Sequence, residues 1–104
     1  MIFNKVEQLK PGFVYILSNK PDGVLYTGVT SDLTQRIYQH KTHMFRGFSN
    51  TYNTNLLVWY ECHDDIESAI LREKQIKLWK RSWKLELIEE KNPMWVDLYS
   101  ALIS

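Results

Sequence analysis

The feature that most restricts the fold is the stretch from Phe13 to Lys41, FVYILSNKPDGVLYTGVTSDLTQRIYQHK. Phe13-Val14-Tyr15-Ile16-Leu17 and Val24-Leu25-Tyr26-Thr27-Gly28-Val29-Thr30 are short runs rich in β-branched and aromatic side chains, which suit a pleated, half-buried surface. Between them stand Asn19, Pro21, Asp22 and Gly23, which supply turn dihedrals and local side-chain hydrogen bonds, so the runs are expected to fold back as an antiparallel hairpin. Ser31 or Asp32 can then cap a helix whose buried stripe is Leu33, Ile37 and, at its end, Met44. In that helix Arg36, His40 and His43 recur at spacings of four and three and share a neighbouring face. A hairpin leading straight into such a helix lets two strand tyrosines and an arginine–histidine face converge.

The rest of the chain supplies the layers around this unit. Pro11 and Gly12 punctuate an opening segment, residues 1 to 12. After the helix comes HMFRGFSNTYNTN, a long loop whose Phe45, Phe48 and Tyr52, interleaved with Arg46, either stack on splayed bases or fold back on the core. Leu56-Leu57-Val58-Trp59-Tyr60 is apolar on both faces and is expected as a third, central strand. Asp64 or Asp65 caps a helix from about Ile66 to Trp79, with Glu67 near its positive end and Ile66, Ala69, Ile70 and Ile76 as its apolar stripe. Glu73 falls in the gap of that stripe. An inward carboxylate is costly unless paired or bound to a cation, so Glu73 requires either an ion pair, with an arginine such as Arg36, a place at the core edge, or a metal. A further helix runs from Ser82 to about Glu90 and stops at Asn92-Pro93, and Met94 to Tyr99 form a short helical or irregular tail. The order β-β-α-β-α-α predicts an α+β fold, a three-stranded mainly antiparallel sheet flanked by helices.

Composition bounds what such a fold can do. A chain of 104 residues, 44% hydrophobic and 24% charged, is expected to be one domain over 1–104 with one modest core. Such content excludes a disordered chain. No apolar run approaches the roughly 18 residues needed to span a bilayer, and MIFNKVEQLK lacks a signal-peptide core, so the expected setting is cytoplasmic, with no membrane partner. The single cysteine, Cys62, excludes an internal disulfide and a cysteine-based zinc site, and reads as a small buried or edge thiol. Net charge is only +1, but it is polarised. From Leu33 to Tyr60 there is no acid, while Arg36, Lys41 and Arg46 are present, and Arg72, Lys74, Lys77, Lys80, Arg81 and Lys84 form a second basic cluster. Acids gather at Glu61 to Glu67 and Glu86 to Glu90. One face can therefore be basic enough for a nucleic-acid backbone, or these charges are solvated helix surface.

Ten residues separate Tyr15 in Val14-Tyr15-Ile16 from Tyr26 in Tyr26-Thr27-Gly28, with Arg36 and His40 following. This pattern resembles the GIY-YIG nuclease superfamily, most of all its small standalone bacterial members related to the nuclease domain of the excision-repair excinuclease. Ala69-x-x-Arg72-Glu73 with Lys77, Trp79 and Lys84, then Asn92-Pro93, extends the resemblance from Gly12 to Leu98. Val29 is a departure, standing where some relatives place a lysine.

The resemblance implies a compact sheet flanked by helices and metal-dependent cleavage of DNA, in repair, recombination or defence against foreign DNA. It implies Tyr26 or Tyr15 as general base or water-positioning group, Arg36 as phosphate clamp, His40 as proton relay, and Glu73 as the metal ligand. Magnesium or manganese suits a site with one carboxylate, because such ions keep several waters. An arginine fork matches phosphate, and a tyrosine acting as base needs its pKa drawn down toward neutrality by a metal or by Arg36. Lys41, Arg46, Lys77 and Asn92 are the expected substrate contacts, Asn92 alternatively being an ordinary helix stop. A surface this small leaves base readout to other contacts, so a homodimer or a partner protein for substrate targeting stays open. The competing readings are a nucleic-acid-binding module on the same scaffold, and an interaction domain built on Trp79, Trp83 and Trp95, whose helical spacing equally suits core packing.

Overall fold

The computed structural model describes residues 10–43 and 52–104. Met44, Phe45, Arg46 and Phe48, and the opening segment up to residue 9, lie outside the described residues. The elements are β1 (Gly12–Ser18), β2 (Leu25–Thr30), α1 (Leu33–Lys41), β3 (Leu56–His63), α2 (Ile66–Leu78), α3 (Arg81–Lys91) and α4 (Tyr99–Ile103). The fold is α+β, with an antiparallel sheet in the order β2-β1-β3 among the described residues.

The hairpin forms where its turn residues place it. Phe13 pairs with Thr30 and Ser18 with Leu25. Asn19 Oδ1 accepts a bond from Val24 N at 2.9 Å, and Gly23 N donates to Lys20 O at 3.0 Å. Asp22 takes a φ of 56°, a left-handed conformation that aspartate tolerates. Asp32 caps α1 by accepting from Gln35 N at 3.1 Å, and Asp65 caps α2 by accepting from Ser68 N at 2.7 Å. Each bond satisfies an amide that the helix start leaves free.

The third strand is not central. β1 holds that place, and β3 lies at an edge of the sheet. The burial explains why: Val14 to Ser18 are all buried, whereas β3 is buried only from Leu57 to Trp59 and ends in the exposed Tyr60 and Cys62. A register shift opposite Ile16/Leu17 leaves Val58 without a strand partner. Its carbonyl is taken by Asn92 Nδ2 at 3.0 Å. The apolar run that suggests a central strand is covered instead by residues after α3.

Alternation along β1 sorts the core into two layers. Val14 and Ile16 pack with Val58, Ala69, Ile76, Ile88 and Trp95. Tyr15 and Leu17 pack with Leu33, Ile37 and Leu57, bordered by Leu98, Tyr99 and Leu102. A Cβ on Gly12 would lie 2.8 Å from Ile66 Cα, so the start of α2 presses directly on β1. On α2 the buried residues are Ala69, Glu73 and Ile76, while Ile70 is exposed and falls outside the stripe. Trp95 is in the core, but Trp83 is half exposed, edge-on to Trp79 at 6.0 Å between ring centres.

Candidate active site

Tyr15 is the centre of the site. Its ring is buried on the central strand, and its hydroxyl shares a 3.0 Å hydrogen bond with His40 Nε2, 25 residues away on α1. The cross-strand partner of Tyr15 is Gly28, and a Cβ there would collide with Tyr15 Cζ and Oη. Gly28 therefore lets the phenol lie flat across β2. Tyr26, two residues earlier, faces the same way. Its ring centre is 6.4 Å from that of Tyr15 and 5.3 Å from that of His40, closing a triangle of three rings.

Two charges complete the group. Arg36 lies one turn before His40 on α1 and acts on both Tyr15 and His40. Glu73, buried on the inner side of α2, is also close enough for its charge to act on Tyr15. The structure thus groups Tyr15, Tyr26, Arg36 and His40 from β1, β2 and α1, with Glu73 on the inner side of α2 near enough for its charge to act on Tyr15.

The electrostatics assign different states to these groups. Burial pushes the Tyr15 hydroxyl well above the usual phenol range, the Tyr26 and Glu73 neighbours add to this, and the charge and hydrogen bond of Arg36 oppose it without prevailing. Tyr15 therefore keeps its proton: the lowering by Arg36 that the sequence expectation names is present, and burial outweighs it. Burial, and secondarily Arg36, pulls His40 down to about 4, so its ring is neutral at pH 7. Glu73 is ion-paired not with Arg36 but with Lys77, four residues on, at 2.6 Å. That pair is local to the helix, and the half-exposed Lys77 needs only its own flexible stem to reach back.

Among the described residues no three carboxylate, histidine or cysteine groups cluster as a metal cage. One carboxylate is nonetheless what a magnesium-like ion requires when water and phosphate oxygens fill its other positions, so Glu73 fits such an ion. Beside the site runs a groove of about 280 Å³ lined by Leu25, Tyr26, Thr27, Lys77 and Lys84.

The remaining expected contacts are placed elsewhere. Lys41 Nζ is held by Asp97 at 2.6 Å and by the Asn55 carbonyl at 2.8 Å, fastening α1 to the tail. Asn92, buried, donates to Val58 O and Val96 O and accepts from Val96 N, all backbone groups. The structure makes it a helix-end bracket. Arg46 lies outside the described residues. Lys84 is a groove residue that sequence reasoning does not single out for the site; it and Lys77 sit on different helices across a corner, so no helical period links them.

The family model for the GIY-YIG catalytic domain matches residues 11–86, which contain Tyr15, Tyr26, Arg36, His40 and Glu73. The chain belongs to the GIY-YIG family. Its relatives include UPF0213 proteins of Staphylococcus saprophyticus, 36% identical over 75% of this chain and 94% of the relative, and of Haloquadratum walsbyi, 35% identical over 75% and 86%. The solution NMR structure of a UPF0213 protein from Bacillus halodurans superimposes with a TM-score of 0.54 at 29% identity, covering 84% of this chain and 92% of that one. Both the family and its α+β fold are those expected from Tyr15, Tyr26 and Gly28. Among the described residues no helix is long and apolar enough to cross a membrane.

Proposed function

We propose that this chain is a divalent-metal-dependent endonuclease that hydrolyses DNA phosphodiester bonds, working in DNA repair, recombination or defence against foreign DNA. The observation that carries this reading is the cluster of Tyr15, Tyr26, Arg36 and His40, on which the Glu73 charge acts, beside an open groove lined by Lys77 and Lys84.

In this reading Arg36 binds the non-bridging oxygens of the scissile phosphate, for which its planar, permanently charged fork is suited. Tyr15, protonated and fixed by His40, presents a hydroxyl of set direction to the water or phosphate. Tyr26 is the less buried phenol and borders the groove, so its Oη positions the attacking water and takes part in its deprotonation. His40, neutral, can receive the proton passed from that side of the triangle. The water oxygen bonds to phosphorus as its proton passes by way of Tyr26 to His40, the bond to the 3′ oxygen breaks, and that oxygen takes up a proton from solvent. Glu73 would hold Mg²⁺ or Mn²⁺, which supplies charge stabilisation of several kcal/mol to the phosphoryl oxygens when bound. Lys77 must then leave the carboxylate.

That last requirement favours a second reading, a module that binds nucleic acid without cutting it, because Glu73 is already occupied by Lys77. One experiment separates the two. Plasmid, single-stranded and branched DNA are incubated with Mg²⁺ or Mn²⁺ and wild type, Glu73→Ala or Arg36→Ala protein. Metal-dependent cuts lost in both variants, with melting preserved, support the nuclease. Binding by all three without cuts supports the module, and binding that ignores salt argues against phosphate recognition altogether.

A further inference from the structure

The groove at Lys84 borders the ring cluster through Tyr26, and its construction is specific. One wall is β2, through Leu25 and Thr27, and the other is the corner between α2 and α3, through Lys77 and Lys84. The two walls are fastened together at one end by Arg81. Its Nη2 donates to Gly23 O at 2.7 Å and to Asp22 O at 2.9 Å, tying the hairpin turn to the first residue of α3. Tyr26 is both a lining residue of the groove and a member of the ring triangle, so the groove borders the ring cluster.

Lys84 is an unusual occupant. It is half-buried, and none of the ion pairs among the described residues involves it. Burial lowers its pKa first, and the charges of Arg81 and of Lys77, which lines the same groove, lower it further. Desolvation and like-charge neighbours both disfavour an ammonium, so the folded chain holds a cation where it is destabilised until an anion arrives. Lys77 differs. Its ammonium is on Glu73, but its side chain is 53% exposed and lines the same groove, so it can turn from the carboxylate to an anion there.

We propose that this groove is a phosphate subsite for the nucleic-acid strand flanking the cleaved bond, with Lys84 as its fixed cation and Lys77 as its movable one. The identity of the bound chain rests on the nuclease reading; the anion site rests on the groove. A phosphate drawn to Lys84 also draws Lys77 away from Glu73, which leaves the carboxylate available when the strand is in place. Binding of DNA and freeing of Glu73 are then coupled.

The test measures binding without cutting. A fluorescent duplex is titrated by anisotropy in chelator at several salt concentrations with wild type, Lys84→Gln, Lys84→Arg and Lys91→Gln protein. Lys91 borders a different cavity, with Trp59, Tyr60, Leu98 and Ala101, and controls for net charge. Loss of one phosphate contact makes the slope of log affinity against log salt shallower by about 0.9 on duplex DNA. That loss is expected in Lys84→Gln, with wild-type slopes in Lys84→Arg and Lys91→Gln. An unchanged slope in a folded Lys84→Gln protein, or an equal loss in Lys91→Gln, overturns the proposal. Should Lys84→Gln fail to fold, Leu25→Glu decides: a carboxylate on the groove wall must weaken binding, and unaltered affinity refutes the subsite. Metal-dependent cutting by wild type with an unchanged Lys84→Gln slope would remove the subsite and leave the nuclease; a changed slope without cutting would do the reverse.

Discussion

The two faces of the sheet are made from the same strand and behave as opposites. On one, Val14 and Ile16 meet Ala69, Ile76 and Ile88, side chains with nothing to donate or accept. On the other, Tyr15 is equally buried but carries a hydroxyl, and around it stand Tyr26, Arg36 and His40. The first face gains from every methylene removed from water, about 25 cal/mol per Å² of apolar surface. The second gives up part of that gain to hold polar groups that must be satisfied. Apolar packing and the polar cluster are thereby placed on opposite sides of one central strand, and Glu73 belongs by position to the first while its charge acts on the second.

Substitutions can test how complete this division is. The largest effect is expected from Glu73→Gln, which should slow plasmid nicking by about 10³-fold, on the order of 4 kcal/mol in the barrier, as should chelation of the metal. Nicking rates and thermal melting measured together would show whether the loss is chemical. Ile16→Ala on the opposite face should cost about 3 kcal/mol in denaturant unfolding, from lost transfer and a cavity, while the folded fraction cuts at the wild-type rate. A parallel loss of cutting per folded molecule would mean that the faces are not independent.

The pH dependence sharpens the contrast further. His40 is held at about 4 in the folded protein against about 6.5 when unfolded, so between these values the unfolded chain binds the extra proton. Its contribution is present above pH 6.5 and is lost as pH falls toward 4, on the order of 3 kcal/mol in total. His40→Gln should flatten the melting temperature across that window, and a curve parallel to wild type would contradict the assignment. The smallest effect is Gly28→Ala. The added methyl meets the far end of the Tyr15 ring, which must shift at a cost of about 1–2 kcal/mol in stability, with a disproportionate fall in cutting because the phenol leaves His40. Gly12→Ala, crowded instead against Ile66 and Ala69, should lower stability alone.

Much of this arrangement is legible along the chain because its signals are short-ranged. The alternation in Phe13 to Leu17, the turn residues Asn19 to Gly23, the caps at Asp32 and Asp65, and the inward Glu73 each depend on neighbours within a few residues. The site is partly legible for the same reason: Tyr15 and Tyr26 fall on one face by the period of two, and Arg36 and His40 on one face by the spacing of four. The roles of Lys41 and Asn92 are not legible along the chain, because a lysine or an asparagine near a candidate site looks the same whether its partner is a phosphate or, as found, Asp97 or the Val58 carbonyl.

The sequence by itself determined the elements, their order, and which side chains can share a face. Only the tertiary structure decided that β1 rather than β3 lies at the centre, that Lys77 holds Glu73, that Tyr15 keeps its proton, and that Lys84 shares a groove with Tyr26. The physical reason is range. Backbone periodicity is fixed by local sterics, whereas strand order, desolvation and the meeting of charges depend on which distant segments exclude water together.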